Sequence, residues 1–190
     1  SELADVRLNG DAVFTDLAFG RISDYIEVPA ELIDLTMTLP DQPLAELWAD
    51  DRQLIAGEHR TLIVAGSSAL DEVQGRFLLD EQRRIESGAQ INIVNASPGA
   101  GNLDVYFLIP GQQLEDVGPI FTNFTLLTNG SGLLEGRTYD LVFTRAEEDT
   151  VVLGPERVTL VNSGIYTIIV TDADGGGTPA DIVLGGDFSG

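Results

Sequence analysis

The chain repeats itself at a distance of about 106 residues, and this repeat constrains the fold more than any other feature. The matching segments follow the same order in both halves. They are 30–38 (AELIDLTMT) with 136–144 (GRTYDLVFT), 54–55 (LI) with 160–161 (LV) and 61–64 (TLIV) with 167–170 (TIIV) at an offset of 106, and 4–8 (ADVRL) with 103–107 (LDVYF) at an offset of 99. Several ordered matches at nearly one offset indicate two tandem copies of one unit. We predict two domains, residues 1–82 and 83–190, joined near the polar segment 81–88.

The hydrophobic pattern predicts β-strands almost throughout the chain. Apolar and polar residues alternate in 34–38, 90–94 and 157–161, and 166–170 is a short β-branched run. Gly, Pro, Asn and Asp interrupt the chain every ~8–12 residues, a spacing typical of β-sandwiches. Residues 43–50 (PLAELWAD) are the one candidate helical turn. The predicted fold class is therefore all-β, with two tandem β-sandwich domains.

The two copies differ at their beginnings. Repeat two opens with a strand and turn at 89–98, ahead of the segment that matches 4–8, and the counterpart of that strand in repeat one would precede Ser1. We therefore predict that the first sandwich lacks its opening strand. A missing strand leaves neighbouring main-chain groups unpaired and part of the core open. Three explanations follow: a longer parent protein, a strand supplied by another molecule, or a different sheet edge in the first domain.

The composition excludes several classes of function. Among 190 residues there are 10 Arg and no Lys against 31 Asp and Glu, a net charge of −21, with no Cys and one His (His59). Disulfides, cysteine-based zinc sites and mechanisms that need Lys or Cys are excluded, and a lone His makes a catalytic triad improbable. The acidic surface disfavours nucleic acid and anionic lipid. No apolar run reaches the roughly 18 residues of a membrane span, so we expect no membrane insertion. Since one His makes a triad improbable and nothing in the sequence singles out a pair of catalytic carboxylates, we also expect no enzyme activity.

One segment invites a cation-binding interpretation. Asp172 and Asp174 lie in the glycine-rich stretch 172–177 (DADGGG), and calcium prefers carboxylate and carbonyl oxygens. The spacing does not fit an EF-hand, and two carboxylates supply only part of a calcium shell. Asp172 and Asp174 are therefore weak calcium candidates, and an ordinary glycine-rich turn is the alternative. No other cofactor is predicted.

Three Asn-X-Ser/Thr sequons begin at Asn95, Asn123 and Asn129. In an exported archaeal or eukaryotic protein such sequons are glycan acceptors. Asn95 ends a predicted strand, where its amide is expected to satisfy a local turn. Asn123 and Asn129 lie in an uncharged, Thr-rich segment, so they are the glycosylation candidates.

Both repeats resemble the family called domain of unknown function 4397, which occurs in exported bacterial and archaeal proteins. The likeness is carried in repeat two by 93–98 (IVNASP), 103–106 (LDVY), 134–139 (LEGRTY) and 164–169 (GIYTII), and in repeat one by 4–10 (ADVRLNG), 17–20 (LAFG) and 23–30 (SDYIEVPA). Repeat one departs from the family at 57–61 (GEHRT), where an aromatic residue usually precedes Thr. The resemblance implies tandem immunoglobulin-like or transthyretin-like sandwiches, exported and often held at the cell surface, without catalytic residues.

These observations predict a non-enzymatic structural or adhesive protein, extracellular or on the cell surface, such as a fibre subunit. Self-association through β-strand addition would fill the vacancy in repeat one. The residues expected beside that vacancy are Ala4, Asp5, Val6, Arg7 and Leu8. Trp48 either caps the open core of repeat one or contacts a partner, since Trp is enriched at interfaces. The alternatives are a carbohydrate- or ligand-binding module and a calcium-stabilised spacer.

Overall fold

The computed structural model describes residues 3–67, 72–173, 176–177 and 180–187. The prediction of an all-β fold is confirmed: fourteen strands and one short 3-10 helix, Leu114–Asp116, make up the regular structure of the described residues. The chain divides into two compact units, Ser1–Asp80 (unit one) and Glu81–Gly190 (unit two).

Unit one contains six strands in two sheets. The strands are β1 Leu3–Leu8, β2 Asp11–Ala18, β3 Leu32–Leu39, β4 Gln42–Gln53, β5 Arg60–Ser67 and β6 Glu72–Leu79. Four of them form an antiparallel sheet in the order β2-β1-β3-β4, and β5 and β6 form an antiparallel pair.

Unit two contains eight strands in two four-stranded sheets. The strands are β7 Ala89–Asn95, β8 Leu103–Leu108, β9 Phe121–Phe124, β10 Asn129–Leu134, β11 Thr138–Arg145, β12 Val151–Thr159, β13 Ile165–Thr171 and β14 Asp181–Gly186. One sheet has the order β12-β11-β8-β9 and the other β10-β7-β13-β14.

The strand orders of the two units correspond. The sheet β2-β1-β3-β4 has the order of β9-β8-β11-β12, and the pair β5-β6 corresponds to β13-β14. Unit two has two further strands, β7 and β10, beside β13. Within the described residues, unit one has no strand in the place of either. The described part of unit one thus has two strands in this sheet where unit two has four.

The same local device recurs in both units. The carboxylate of Asp5 in β1 accepts a hydrogen bond from the backbone N–H of Asp16 at 3.0 Å, and that of Asp104 in β8 accepts one from Asn123 at 2.8 Å. Asp16 and Asn123 have positive φ values of 55° and 54°. In each unit a buried Asp thus fixes a left-handed residue in the neighbouring strand, which keeps an irregular strand in the sheet.

The described part of unit one has a smaller core than unit two. In unit two, side chains from both sheets enclose Ile93, Phe143 and Ile168, none of which exposes any surface. In unit one the buried cluster consists of Val6, Ile33 and Leu35, packed against partly buried neighbours. A two-stranded sheet covers less of the facing sheet than a four-stranded one, so fewer side chains lose contact with water.

The candidate helical turn at 43–50 is wrong, because these residues belong to strand β4. Trp48 in β4 pairs with Met37 of β3, and the next partners are Glu46 and Thr38, so the register shifts at Leu47. A bulge of this kind breaks the period-2 alternation of a strand. It gives the local pattern of apolar residues a helix-like spacing.

Candidate strand-binding site

In unit two, strand β7 fills the centre of its sheet. It runs parallel to β13 and antiparallel to β10. One row of this sheet is made by Ser131 of β10, Asn92 of β7 and Thr167 of β13, since Asn92 is the partner of both of the others. This row provides a reference for the place where unit one lacks a strand.

In unit one, the outer edge of β5 faces the place that β7 holds in unit two. The repeat offset of 106 aligns β5 with β13 and residues 23–28 with β10. Among the described residues β5 pairs with β6 alone, and residues 23–28 form no strand. We call the gap between the β5 edge and residues 23–28 the strand slot. A segment whose partner strand is absent has nowhere to direct its ladder hydrogen bonds, which accounts for the irregular backbone there.

Tyr25 crosses the strand slot at one row. Its hydroxyl lies 3.1 Å from Oγ1 of Thr61 on β5 and donates a 2.8 Å hydrogen bond to Oδ2 of Asp80. At the offset of 106, Tyr25 corresponds to Ser131 and Thr61 to Thr167, the two residues that flank Asn92 in unit two. A tyrosine side chain therefore bridges the row that a whole strand occupies in the other unit.

The groups around Tyr25 are electrostatically coupled. Burial raises the pKa of the Tyr25 hydroxyl above its ordinary value, and the hydrogen bond to Asp80 raises it further. Burial also raises the pKa of Asp80, against the opposing effect of hydrogen bonds from Thr61 and Tyr25 and of nearby His59. The His59 ring stands edge-on to Tyr25, with centroids 6.1 Å apart. The surroundings therefore favour the protonated, uncharged forms of both Tyr25 and Asp80.

The core-facing side of the strand slot is only partly covered. Leu62 and Val64 of β5 correspond to Ile168 and Val170 of β13, which are 0% and 1% exposed, yet Leu62 and Val64 are only half-buried. Across the gap, Ile26 is 43% exposed. An inserted strand would remove apolar surface on both sides from water, which is the main favourable term in such an association.

The departure from the family pattern lies beside the strand slot. Tyr166 of β13 is 1% exposed and its hydroxyl accepts a 2.8 Å hydrogen bond from the N–H of Val161. Arg60 stands at the corresponding position of β5 and donates two hydrogen bonds to Glu58, at 2.9 and 2.5 Å. A charged pair avoids the full desolvation cost only where water still reaches it. The substitution fits the open core at this end of unit one.

The predicted interface segment does not lie beside the strand slot. Residues Ala4 to Leu8 belong to β1, whose two edges pair with β2 and β3. Asp5 and Val6 are buried, and Arg7 reaches Asp5 at 3.9 Å. Because both edges of β1 are already paired, strand addition next to Ala4, Asp5, Val6, Arg7 or Leu8 has no free edge to use. The open edge belongs to β5 in the other sheet.

Trp48 lies between the two sheets of unit one. It packs against the cluster of Val6, Ile33 and Leu35, and its indole ring lies against Gly75 of β6. A side chain at Gly75 would collide with that ring. Trp48 is partly buried, so this packing matches the core-capping interpretation, while its role as a partner contact stays a prediction.

The calcium candidates fall partly outside the described residues. Asp174 is outside them. Asp172 has its Oδ1 occupied by the hydroxyl of Ser97 and by the N–H of Gly99, the latter at 3.0 Å. Among the described residues no group of three or more His, Asp or Glu side chains gathers as metal ligands. The contacts of Asp172 fasten the turn after β7 to the end of β13.

The three sequons differ in exposure. Asn95 is fully buried: its amide donates to the carbonyls of Gly101 and Phe124 at 2.8 and 3.0 Å, and its oxygen accepts from the N–H of Ser97 at 3.0 Å. Asn123 is exposed in β9, and its side-chain oxygen accepts a hydrogen bond from Asn102 at 2.9 Å. Asn129 is partly buried in the edge strand β10. Of these three, Asn123 is the most accessible acceptor.

The site residues that sequence reasoning missed are Tyr25, Thr61 and Asp80. The signal was available, since the offset of 106 aligns Tyr25 and Thr61 with the two residues that flank Asn92. This alignment points to a site only once β10, β7 and β13 are known to be neighbours in one sheet. The sequence does not contain the strand order in a directly readable form.

Comparison with known proteins gives a family and no established activity. In the described part of the chain, no helix has the length and apolar character required to cross a bilayer. A search of curated proteins found no match. Among solved structures, the C-terminal domain of AlgF from P. aeruginosa is similar at 15% identity, with a TM-score of 0.38, over 52% of this chain and 99% of that one. The model of the family described as "Domain of unknown function (DUF4397)" matches residues 1–106, more than half of the chain, and the protein therefore belongs to that family.

Proposed function

We propose that the protein is an exported structural or adhesive component of the cell surface, whose copies associate by β-strand addition at the strand slot. The main support is that the chain contains two versions of the same sheet, one with a central strand beside its β13 edge and one described without a strand at the corresponding edge. Unit two holds β7 between β10 and β13, while among the described residues of unit one the corresponding edge of β5 pairs with no strand. The extracellular location rests on the family resemblance.

An open edge of this kind favours association. Unpaired N–H and C=O groups along an edge strand are a template for another strand, and natural proteins usually protect such edges with charge or proline. Residues 61–66 of β5 (TLIVAG) contain neither. Main-chain hydrogen bonds would supply the affinity and the half-buried Leu62 and Val64 would supply apolar contacts.

The net charge of −21 restricts how copies can approach one another. Mutual repulsion between acidic surfaces suppresses non-specific collapse and weakens with added salt. Association is then expected where the acidic charge is lowest and a specific edge is available. Residues 61–66 of β5 carry no charge and meet both conditions.

Sedimentation velocity on the native protein over a wide concentration range tests the proposal. We expect concentration-dependent association that strengthens with salt. The variant Ala65→Lys puts a charge on β5 and should abolish association, because a lysine on a strand edge opposes pairing. The matched control Gln74→Lys adds the same charge to the neighbouring strand β6, where Gln74 is exposed and pairs with Ala65, and it should leave most association intact. A protein that stays monomeric throughout, or equal effects of the two lysines, would refute the proposal.

A further inference from the structure

We infer that Asn123 carries an N-linked glycan and that this glycan covers the outer edge of strand β9. The inference rests on the proposed export of the protein, because glycans of this kind are attached to exported chains. It does not depend on strand addition at β5. The substrate class is an oligosaccharide that a membrane lipid carries through a phosphate or diphosphate.

The transfer needs an acceptor amide and a hydroxyl two residues further along the chain, and Asn123 and Thr125 supply them. The bond between the anomeric carbon of the sugar and the phosphate oxygen of the lipid breaks, and a bond from that carbon to Nδ2 of Asn123 forms. Nδ2 gives up one proton, and the lipid phosphate or diphosphate leaves with the bonding electron pair. Nothing is oxidised or reduced.

The irregular course of β9 turns the side chain of Asn123 away from the core. Phe124 is buried, Phe121 packs against the same cluster, and their ring centroids are 5.3 Å apart. Residues three apart in a regular strand face opposite sides. The left-handed backbone of Asn123 lies between the two rings, with a φ of 54°, and lets both face the core. Asn123 is therefore exposed, and a bulky group can extend from it into solvent.

The amide of Asn123 is oriented for a substituent on its nitrogen. Its oxygen accepts a 2.9 Å hydrogen bond from Nδ2 of Asn102, whereas its own Nδ2 makes no hydrogen bond within the described part of the chain. Thr125 is also exposed, and its hydroxyl lies 2.6 Å from that of Thr128. Replacing one hydrogen of Nδ2 by a sugar therefore costs no hydrogen bond among the described residues.

The other two sequons are less suited to a glycan. Asn95 exposes no surface, and its Nδ2 donates two hydrogen bonds to backbone carbonyls. Asn129 is partly buried and pairs with Val94 of the central strand β7, and Gly130 in the same sequon lies against aromatic rings of the core. A glycan on Asn95 would displace packed groups, and one on Asn129 would be restricted by the sheet.

The segment around Asn123 lacks the charge that is abundant elsewhere in the chain. Residues 117–134 contain no charged residue, although the chain has 10 Arg and 31 Asp and Glu. In this segment Ile120 and Leu133 are 43% and 49% exposed. Strand β9 is the last of its sheet, and its sequence (FTNF) has neither the charge nor the proline that usually protects such an edge. A neutral, hydrated glycan at Asn123 supplies that protection.

Peptide mass spectrometry of the protein purified from its own organism tests the site. Cleavage before Asp gives the peptide 80–103, which contains Asn95, and the peptide 116–139, which contains Asn123 and Asn129. We expect the second peptide alone to carry an oligosaccharide, and we expect electron-transfer fragmentation to place it on Asn123. Unmodified peptides, or a glycan on Asn95 or Asn129 in place of Asn123, would overturn the inference.

Substitutions expressed in the same organism separate the sequon from the fold. Asn123→Asp should lose the glycan completely and still fold, because Asp16 has the corresponding left-handed position in unit one. Thr125→Ala should also lose the glycan, whereas Thr125→Ser and the matched control Asn129→Gln should keep it. Retention of the glycan in Asn123→Asp or Thr125→Ala would contradict the assignment.

Sedimentation velocity measures the covering of the β9 edge. A larger fraction of Thr125→Ala than of Thr125→Ser should sediment faster than the wild type, because only Thr125→Ala exposes that edge. The same two variants produced in a bacterium without N-glycosylation should sediment alike. Equal behaviour of the two in the native organism, or a difference that persists without glycosylation, would overturn the shielding role.

Cell fractionation separates this inference from the proposed function. Protein found outside the cell without a glycan on Asn123 overturns the inference and leaves the proposed location and strand addition intact. Protein found inside the cell without a glycan overturns the proposed location as well. If Asn123 is glycosylated and the protein remains monomeric, the inference survives and self-association is the part that fails.

Discussion

A like-charge pair in unit one gives a sharp test of the correspondence between the two units. Asp34 of β3 lies directly opposite Asp51 of β4, whereas the corresponding pair in unit two is Asp140 and Arg157, joined by hydrogen bonds of 2.8 and 3.0 Å. Both Asp34 and Asp51 are exposed. Opposite charges across neighbouring strands stabilise by ~0.2–1 kcal/mol, and like charges destabilise by a similar amount. Asp51→Arg should therefore stabilise unit one by about 1 kcal/mol, the sum of the relieved repulsion and the new attraction.

Differential scanning calorimetry at low salt measures this effect. A gain of about 1 kcal/mol corresponds to a rise of roughly 4–8 °C in the melting temperature of a domain of this size. Asp51→Asn, which removes only the repulsion, should give about half of the rise. In 1 M salt, where the screening length falls to about 3 Å, the gain should shrink markedly. No gain at low salt, or a gain that salt does not reduce, would mean that residues 34 and 51 are not opposite each other and that the register of β3 and β4 is wrong.

Three further predictions concern single contacts. Asn95→Ala should destabilise unit two by about 3 kcal/mol or more in urea unfolding, because it leaves buried carbonyls of Gly101 and Phe124 without their donor; a loss below about 1 kcal/mol would contradict the role assigned to this amide. Burial raises the pKa of Asp80 in the folded state, so the free energy of unfolding falls as pH rises from the ordinary pKa of an Asp through the folded-state pKa. The variant Asp80→Asn should therefore melt no lower than the wild type at pH 7, and the difference should shrink on acidification. An advantage of the variant that grows toward low pH would contradict a raised pKa for Asp80. EDTA should leave the melting temperature unchanged, since Asp172 already accepts hydrogen bonds from Ser97 and Gly99, and a chelator-dependent drop would support the calcium interpretation.

The sequence predicts the fold class well because strand signals are local. The alternation at 90–94 and the β-branched run at 166–170 become β7 and β13. Strand β4 was missed for an equally physical reason. It is an edge strand in which even the apolar Leu44 is 96% exposed. Apolar residues therefore do not mark one buried face, and the sequence does not alternate clearly between apolar and polar residues. The shift of register at Leu47 then removes the remaining alternation.

The sequence prediction places the vacancy beside β1, because it equates nearness in sequence with nearness in a sheet. In unit two, β7 is followed directly by β8, which suggests that the segment 4–8 of unit one would border the missing strand. The chain crosses between the sheets at this point: β7 pairs with β10 and β13, while β8 pairs with β9 and β11. Connections of this kind are normal in sandwiches with Greek-key topology, and periodicity contains no information about them.

The two units keep some local contacts and differ in others, and several of the differences lie beside the strand slot. Away from the slot the local devices are retained, as in the pairs of Asp5 with Asp16 and Asp104 with Asn123. Beside it, two neighbouring positions differ between the units. Gly164 gives room to the ring of Tyr166, against which any side chain at 164 would collide, and the corresponding residues of unit one are Glu58 and Arg60, which pair with each other.

Unit one has an ion pair where unit two has the aromatic ring of Tyr166, and it has Tyr25 where unit two has Ser131. Each replacement makes the open form of unit one more compatible with water.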